Sequence, residues 1–144
     1  MKKENMTYET PFLGCLVGAA FQKLTSELEM ALKAYSLNIS ASEYMVLRAL
    51  FTSDGLQQCQ IAEMVGKDKA AVSRCVAALV KKELVRSEQV SYKCCKAWLT
   101  EKSLALKPQI MNIAFERHKA LLNLASDSEI QGFISVLNKI VKDS

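Results

Sequence analysis

The sequence predicts a mainly α-helical fold carrying one small β-hairpin, and three observations lead there. Apolar residues recur at helical spacing through most of the 144 residues. Two S-x-x-E boxes, beginning at Ser40 and Ser126, mark helix starts, where a hydroxyl and a carboxylate satisfy free amides reciprocally. Five glycines and two prolines are too few turn-formers for a sandwich or barrel of many tight turns. Half the residues are apolar and 24% are charged, so the chain can bury a core and does not have the composition of a disordered segment.

Taken in order, residues 1–10 are polar and read as a loose arm. From Phe12 to about Tyr35 the residues Leu13, Leu16, Val17, Ala20, Leu24, Leu28, Ala31 and Leu32 follow a helical stripe. That helix spans roughly 35 Å at 1.5 Å per residue, long enough to expect a partner beyond its own compact domain. Its first part, residues 12–21, is a ten-residue apolar run, too short for a bilayer. Lys2 and Lys3 precede it as in a signal peptide, but Glu4, Glu9 and Pro11 interrupt the approach, and a buried interface helix is the reading adopted. A second helix follows Ser40, with Tyr44, Val46, Leu47, Ala49, Leu50 and Phe51 inward, and Asp54-Gly55 ends it. A short third helix, 57–65, closes at Gly66. A fourth, 69–82, buries Val72, Val76, Leu79 and Val80. Two helices joined by so short a glycine-containing turn form a helix-turn-helix. Residues 84–90 and 93–99 then alternate as two strands, a wing. Thr100 caps a fifth helix to about residue 125, which Pro108 is expected to kink. The last helix, after Ser126, buries Ile130, Phe133, Ile134, Leu137, Ile140 and Val141.

The fold class is therefore a winged helix-turn-helix with long N- and C-terminal dimerisation helices. It divides into an arm and dimerisation helix (1–36), a winged helix-turn-helix domain (37–100) and C-terminal dimerisation helices (101–144). The sequence-distant end helices are expected to pack together and, in two copies, to form a homodimer.

Chemistry narrows the function. His118 has no metal-ligand partner at i+3 or i+4, and no phosphate loop, catalytic triad or zinc motif occurs. No enzyme, cofactor or metal is expected. The five cysteines, Cys15, Cys59, Cys75, Cys94 and Cys95, are odd in number and lack C-x-x-C spacing, which fits a reducing cytoplasm rather than a disulfide framework. Cys59 and Cys75 read as core, and alternation turns one of Cys94 and Cys95 outward. Of the net charge of +4, residues 57–100 carry an excess equal to the whole, eight basic against four acidic side chains. Basic charge concentrated on a helix-turn-helix is what phosphate neutralisation needs. Lys69, Ala70, Ser73, Arg74 and Ala77 fall off the buried stripe of the fourth helix, whose N-terminal half is expected in a major groove. Arg74 is the base reader, since guanidinium grips guanine O6 and N7. Ser73 donates to a phosphate or base edge, and Ala70 and Ala71 meet thymine methyls. Lys67 and Lys69 are phosphate contacts, aided by helix-start amides near Gln57 and Ser40.

The residues Ile61-Ala62-Glu63-Met64-Val65-Gly66, Ala71-Val72-Ser73-Arg74, Leu79, Leu84-Val85-Arg86 and Leu99-Thr100-Glu101-Lys102 together resemble the MarR family of bacterial transcription regulators, over nearly the whole chain. The resemblance implies a two-fold dimer of winged-helix subunits. Such a dimer binds a pseudo-palindromic operator in double-stranded DNA, usually represses, and is released by a small aromatic or phenolic ligand or by thiol oxidation. It adds Arg86, Tyr92 and Lys93 of the wing to the DNA-binding set. A ligand pocket is expected between the dimer helices and the winged part, with unassigned lining; no membrane partner is expected. Three departures stand out. The family's wing carries Asp-x-Arg where this chain has Ser91-Tyr92-Lys93, its wing is about two residues longer, and its glycines at two positions are here Glu83 and Ser103. Cys15 is the redox candidate by resemblance, although Ala19 and Glu29 stand where peroxide-sensing members carry tyrosines. Two alternatives stay open: a thiol-based redox regulator of the same architecture, and a winged-helix protein-interaction module that has lost DNA binding.

Overall fold

The computed structural model describes residues 12–142. The expected arm, residues 1–10, lies outside them. The order is α1 (Leu13–Ala34), α2 (Ala41–Thr52), β1 (Leu56–Gln57), α3 (Gln58–Val65), α4 (Lys69–Lys81), β2 (Val85–Ser91), β3 (Cys94–Leu99), α5 (Glu101–Leu122) and α6 (Asp127–Lys142). The described chain is mainly helical with a small sheet, as its sequence predicts. The sheet holds a strand that periodicity does not reveal. β1, two residues long, pairs antiparallel with β3 through Leu56↔Ala97 and Gln57↔Lys96, giving the order β1-β3-β2.

The chain divides into two compact units, one ending at Lys107 and the other beginning at Pro108. Pro108 lies inside α5, and the helix is continuous from Glu101 to Leu122; the boundary falls at the residue that lacks an amide donor. The core of the first unit is formed by Val46, Leu47 and Leu50 of α2, Ile61 of α3, Val72, Val76 and Leu79 of α4, and Leu84, Val85 and Ala97 of the wing base, all nearly inaccessible. Fully burying each such side chain contributes on the order of 1.5–3 kcal/mol.

Helix ends follow local chemistry. Ser40 and Glu43 close the expected capping box at α2: the Ser40 amide donates to Glu43 Oε1 at 2.8 Å, and the Glu43 amide to Ser40 Oγ at 3.1 Å. Gly66 ends α3 at φ 67°, the left-handed conformation glycine adopts without penalty, while the Lys67 amide reaches back to the Ala62 carbonyl at 3.2 Å. Two non-glycine residues also take that conformation, Ser36 after α1 (φ 60°) and Glu83 after α4 (φ 61°).

The apolar run of α1 is left uncovered by this chain. Phe12, Leu13, Leu16, Val17, Phe21 and Leu24 are exposed in the single chain, and Leu32 is the buried residue of the helix. No helix among the described residues is long and apolar enough to cross a membrane.

In the second unit, Ser126 and Glu129 form the second capping box: the Glu129 amide donates to Ser126 Oγ at 3.2 Å, and the Ser126 amide to Glu129 Oε1 at 3.1 Å. Helix α6 has no buried residue, and its Phe133, Ile134, Val136, Ile140 and Val141 are exposed. The inward stripe expected of this helix is therefore not covered within one chain.

Candidate nucleic-acid interface

Helix α4 is set by its ends and its buried stripe. Asp68 is its N-cap; its Oδ1 accepts the Ala71 amide at 2.7 Å. An Asp directly before a helical run is a recognisable start signal. Such a cap is worth about 1 kcal/mol. At the other end, Lys82 Nζ donates to Glu43 Oε1 at 2.7 Å, Oε2 at 3.0 Å and the Asn38 carbonyl at 2.7 Å. Burial alone raises the pKa of the Glu43 carboxyl. The Lys82 ammonium and the Ser40 amide outweigh that, so the group sits below the usual glutamate value. One ion pair thus joins the end of α4 to the start of α2.

With Val72, Val76 and Leu79 buried, Lys69, Ala70, Ser73, Arg74 and Ala77 are all exposed on the opposite side of α4, as the periodicity predicts. Ala71 and Lys67 are half-buried. Val80 is a correction: it is 39% exposed, because the stripe has rotated off the core by the last turn.

The wing is braced at its base. Asp54 Oδ1 accepts the Leu99 amide at 2.8 Å and the Gly55 amide at 3.0 Å, tying the turn after α2 to β3. Gly55, at φ 72°, lies flat on the Trp98 indole, where a Cβ would come within 2.5 Å of the ring. Arg86 lies over the other part of this cluster, 5.8 Å from the Trp98 centroid, and its Nη1 donates to Glu88 Oε2 at 3.3 Å. Its charge is therefore partly answered within the wing. Asp54-Gly55 reads locally as a turn; its reach to a strand 45 residues on carries no local signal. At the tip, Tyr92 and Lys93 are exposed between β2 and β3.

Some of the helix-start amides are used within the protein. At α2 the Ser40 amide is taken by Glu43 and the Ala41 amide by Glu29 Oε1 at 2.7 Å, so these donors are spent inside the protein. Glu29, one of the positions lacking a tyrosine, thereby acquires a role as a second cap on α2. At α3 the Gln57 amide donates to Gln60 Oε1 at 2.9 Å.

The cysteines also redistribute. Cys59, expected in the core, is exposed, with its thiol 3.4 Å from Gln57 Oε1, because α3 turns that face outward. Cys75 is half-buried; burial foremost, with the Glu43 charge adding and Lys67 and Arg74 opposing, pushes its thiol upward in pKa, toward the unreactive protonated form. Cys94 and Cys95 are both half-buried rather than one in and one out. Cys15 is exposed on α1.

A braced hairpin beside a helix that turns its basic side outward defines a winged helix-turn-helix protein. Residues 39–90 match the model of the MarR family. No curated protein matches the chain. Among solved structures it is similar to the Staphylococcus aureus MepR–DNA complex (19% identity, TM-score 0.82, covering 93% of this chain and 98% of that one). It is likewise similar to a MarR transcriptional regulator from Methanosarcina mazei Go1 (20%, 0.79, 97% and 93%). A third is BpsR of Bordetella bronchiseptica, whose DNA binding is regulated by 6-hydroxynicotinic acid (17%, 0.80, 94% and 98%). At these identities the likeness is one of fold.

Proposed function

We propose that this protein is a sequence-specific DNA-binding transcriptional regulator, a homodimeric repressor released by a small aromatic or phenolic effector. The observation that carries the reading is the outward set on α4: Lys69, Ala70, Ser73 and Arg74 are exposed while the opposite side of the same helix is locked into the core. Backbone caps and the Lys82–Glu43 pair hold that helix as a rigid reader, and sites on rigid elements position contacts best. In this reading Arg74 addresses a base pair and Ser73 a phosphate or base edge. Lys67, Lys69, Arg86 and Lys93 neutralise phosphates, and Ala70 lines the methyl-bearing edge of a thymine. MepR is bound to DNA, and BpsR answers to a hydroxylated pyridine carboxylic acid; both support the class.

Binding measured against salt tests this. Arg74→Ala is expected to cost about 1–3 kcal/mol and to relax preference at one base pair. Lys69→Ala is expected to weaken all sequences alike and to lower the salt slope by about one. Full regulatory activity in the Lys69→Ala, Arg74→Ala double variant would instead establish the interaction-module reading. The redox reading predicts that peroxide releases DNA from the wild type and not from Cys15→Ser.

A further inference from the structure

Helix α1 is long and lightly anchored. Leu32 is its buried residue, while Leu13, Leu16, Val17, Phe21 and Leu24 nearer its start are exposed. Apolar packing therefore holds the helix near its last turns and sets its tilt on the core only weakly. A polar contact acts at that point. Glu29 Oε1 accepts the Ala41 amide at 2.7 Å, in a partly buried bond between residues twelve apart. Ala41 is the first residue of α2, where a carboxylate meets both an unspent amide and the positive end of the helix dipole. The charge makes this bond stronger than one between neutral groups. From there polar contacts continue to the reader helix. The Ser40 amide donates to Glu43 Oε1 at 2.8 Å, and Lys82 Nζ, at the end of α4, donates to the same oxygen at 2.7 Å. The start of α2 is thus clasped from two sides, by α1 through Glu29 and by α4 through Lys82.

We propose that Glu29 is a positioning residue for DNA recognition. By fixing the tilt of α1 on the core, it sets how far apart a homodimer holds its two α4 helices, and hence the half-site spacing that the dimer accepts. This rests on the homodimeric DNA-binding reading above. The lever is long. From Glu29 to Leu13 the helix runs about 24 Å at 1.5 Å per residue, so a tilt of roughly 10° displaces its apolar start by about 4 Å. One base pair occupies about 3.4 Å of duplex. A small change at Glu29 is therefore a whole base pair at the face that meets the second copy. Two-fold symmetry applies the displacement in both copies. Paired readers need half-sites one helical turn apart, or a multiple of it. A dimer with loose α1 helices tolerates spacings that a fixed one rejects. Glu29 touches no DNA in this scheme; it acts through Ala41, α2 and the Lys82 clasp.

The test uses the full chain to select duplexes from a random pool, then rebuilds a selected duplex with its half-sites one base pair closer or further apart. The wild type is expected to lose about tenfold in affinity on either change, because one half-site is then out of reach. Glu29→Ala is expected to cut that loss about threefold. Glu29→Gln is expected to restore it, since an amide oxygen accepts the same donor. Ser40→Ala, which removes a cap of α2 and leaves Glu29 in place, is expected to lower the urea midpoint and keep the spacing profile. A wild-type profile in Glu29→Ala, a failure of Glu29→Gln to restore it, or an equal broadening in Ser40→Ala overturns the role of Glu29 and leaves DNA recognition by the dimer standing. A wild type indifferent to spacing overturns it together with the homodimer. A wild type that retains no duplex overturns the DNA-binding reading as well.

Discussion

Glu83 shows how much a single backbone position can decide. It follows α4 at φ 61°, with its amide on the Val80 carbonyl at 3.0 Å and the next amide, of Leu84, on the Leu79 carbonyl at 2.9 Å. The Thr100 hydroxyl donates to the Glu83 carbonyl at 2.7 Å, which pins the turn from outside. A side chain in this conformation meets its own carbonyl at a cost of roughly 1–2 kcal/mol. The Glu83 side chain is exposed, so Glu83→Gly is expected to raise stability by about 0.5–1 kcal/mol, the strain relieved less the entropy of a freer unfolded chain. A urea unfolding midpoint that fails to rise would show that the turn is not strained. The sequence already marks Glu83, because the resembled family has glycine there; the left-handed φ supplies the physical reason. Ser103, the other departure from glycine, is fully buried and exchanges hydrogen bonds with Thr100, its amide on Thr100 Oγ1 at 3.2 Å and its Oγ accepting the Thr100 amide at 3.0 Å. There a hydroxyl does what a glycine cannot: it completes the cap of α5.

Among elements, the join between α2 and α4 has a pH signature. The buried Glu43 carboxylate has a lowered pKa, so its contribution is fully present above the ordinary glutamate value and is lost as pH falls through the depressed one. Stability is therefore expected to hold level near neutrality and to fall below about pH 4.5. Lys82→Met leaves that carboxylate buried and unpaired, and is expected to cost about 1–3 kcal/mol at pH 7. The part of the deficit due to the unpaired carboxylate should shrink as pH falls through the depressed Glu43 value, while the lost bond to the Asn38 carbonyl remains at every pH. Chemical denaturation at pH 7 and pH 3.5 measures this; an equal deficit at both would mean the lysine acts through packing and that bond alone. The helices themselves are legible in the sequence, because caps and stripes are short-range. The two S-x-x-E boxes, Gly66 and the inward set of α4 all lie within a few residues of what they control. Val80 and Cys59 are less legible, because the angle at which each helix meets the core turns their faces outward. β1 is hidden for another reason, being two residues long and defined by pairing with a strand about forty residues on.

For the whole molecule, the question is what covers α1 and α6. Phe12, Leu16, Val17 and Phe21 on one helix, and Phe133, Ile134, Ile140 and Val141 on the other, are exposed in a single chain. Apolar surface on this scale marks an interaction face, and the homodimer proposed above supplies its occupant. Phe133→Asp with Ile140→Asp is expected to leave a monomer in sedimentation at micromolar concentration, and to weaken operator binding by at least tenfold because each copy then grips a half-site alone. A double variant that sediments as the wild type does would remove α6 from the interface.

The sequence by itself determined the helix order, the caps, the outward basic face of α4 and the existence of a wing, because each depends on periodicity and local hydrogen bonding. Only the tertiary structure decided which of those parts are spent on the protein itself. It assigned the Ser40 and Ala41 amides to Glu43 and Glu29, laid Arg86 over Trp98, tied Asp54 to Leu99, and left Tyr92 and Val90 projecting from the wing. Such assignments depend on distances between residues far apart in the chain, and a donor or a charge has only one set of neighbours once the core has closed.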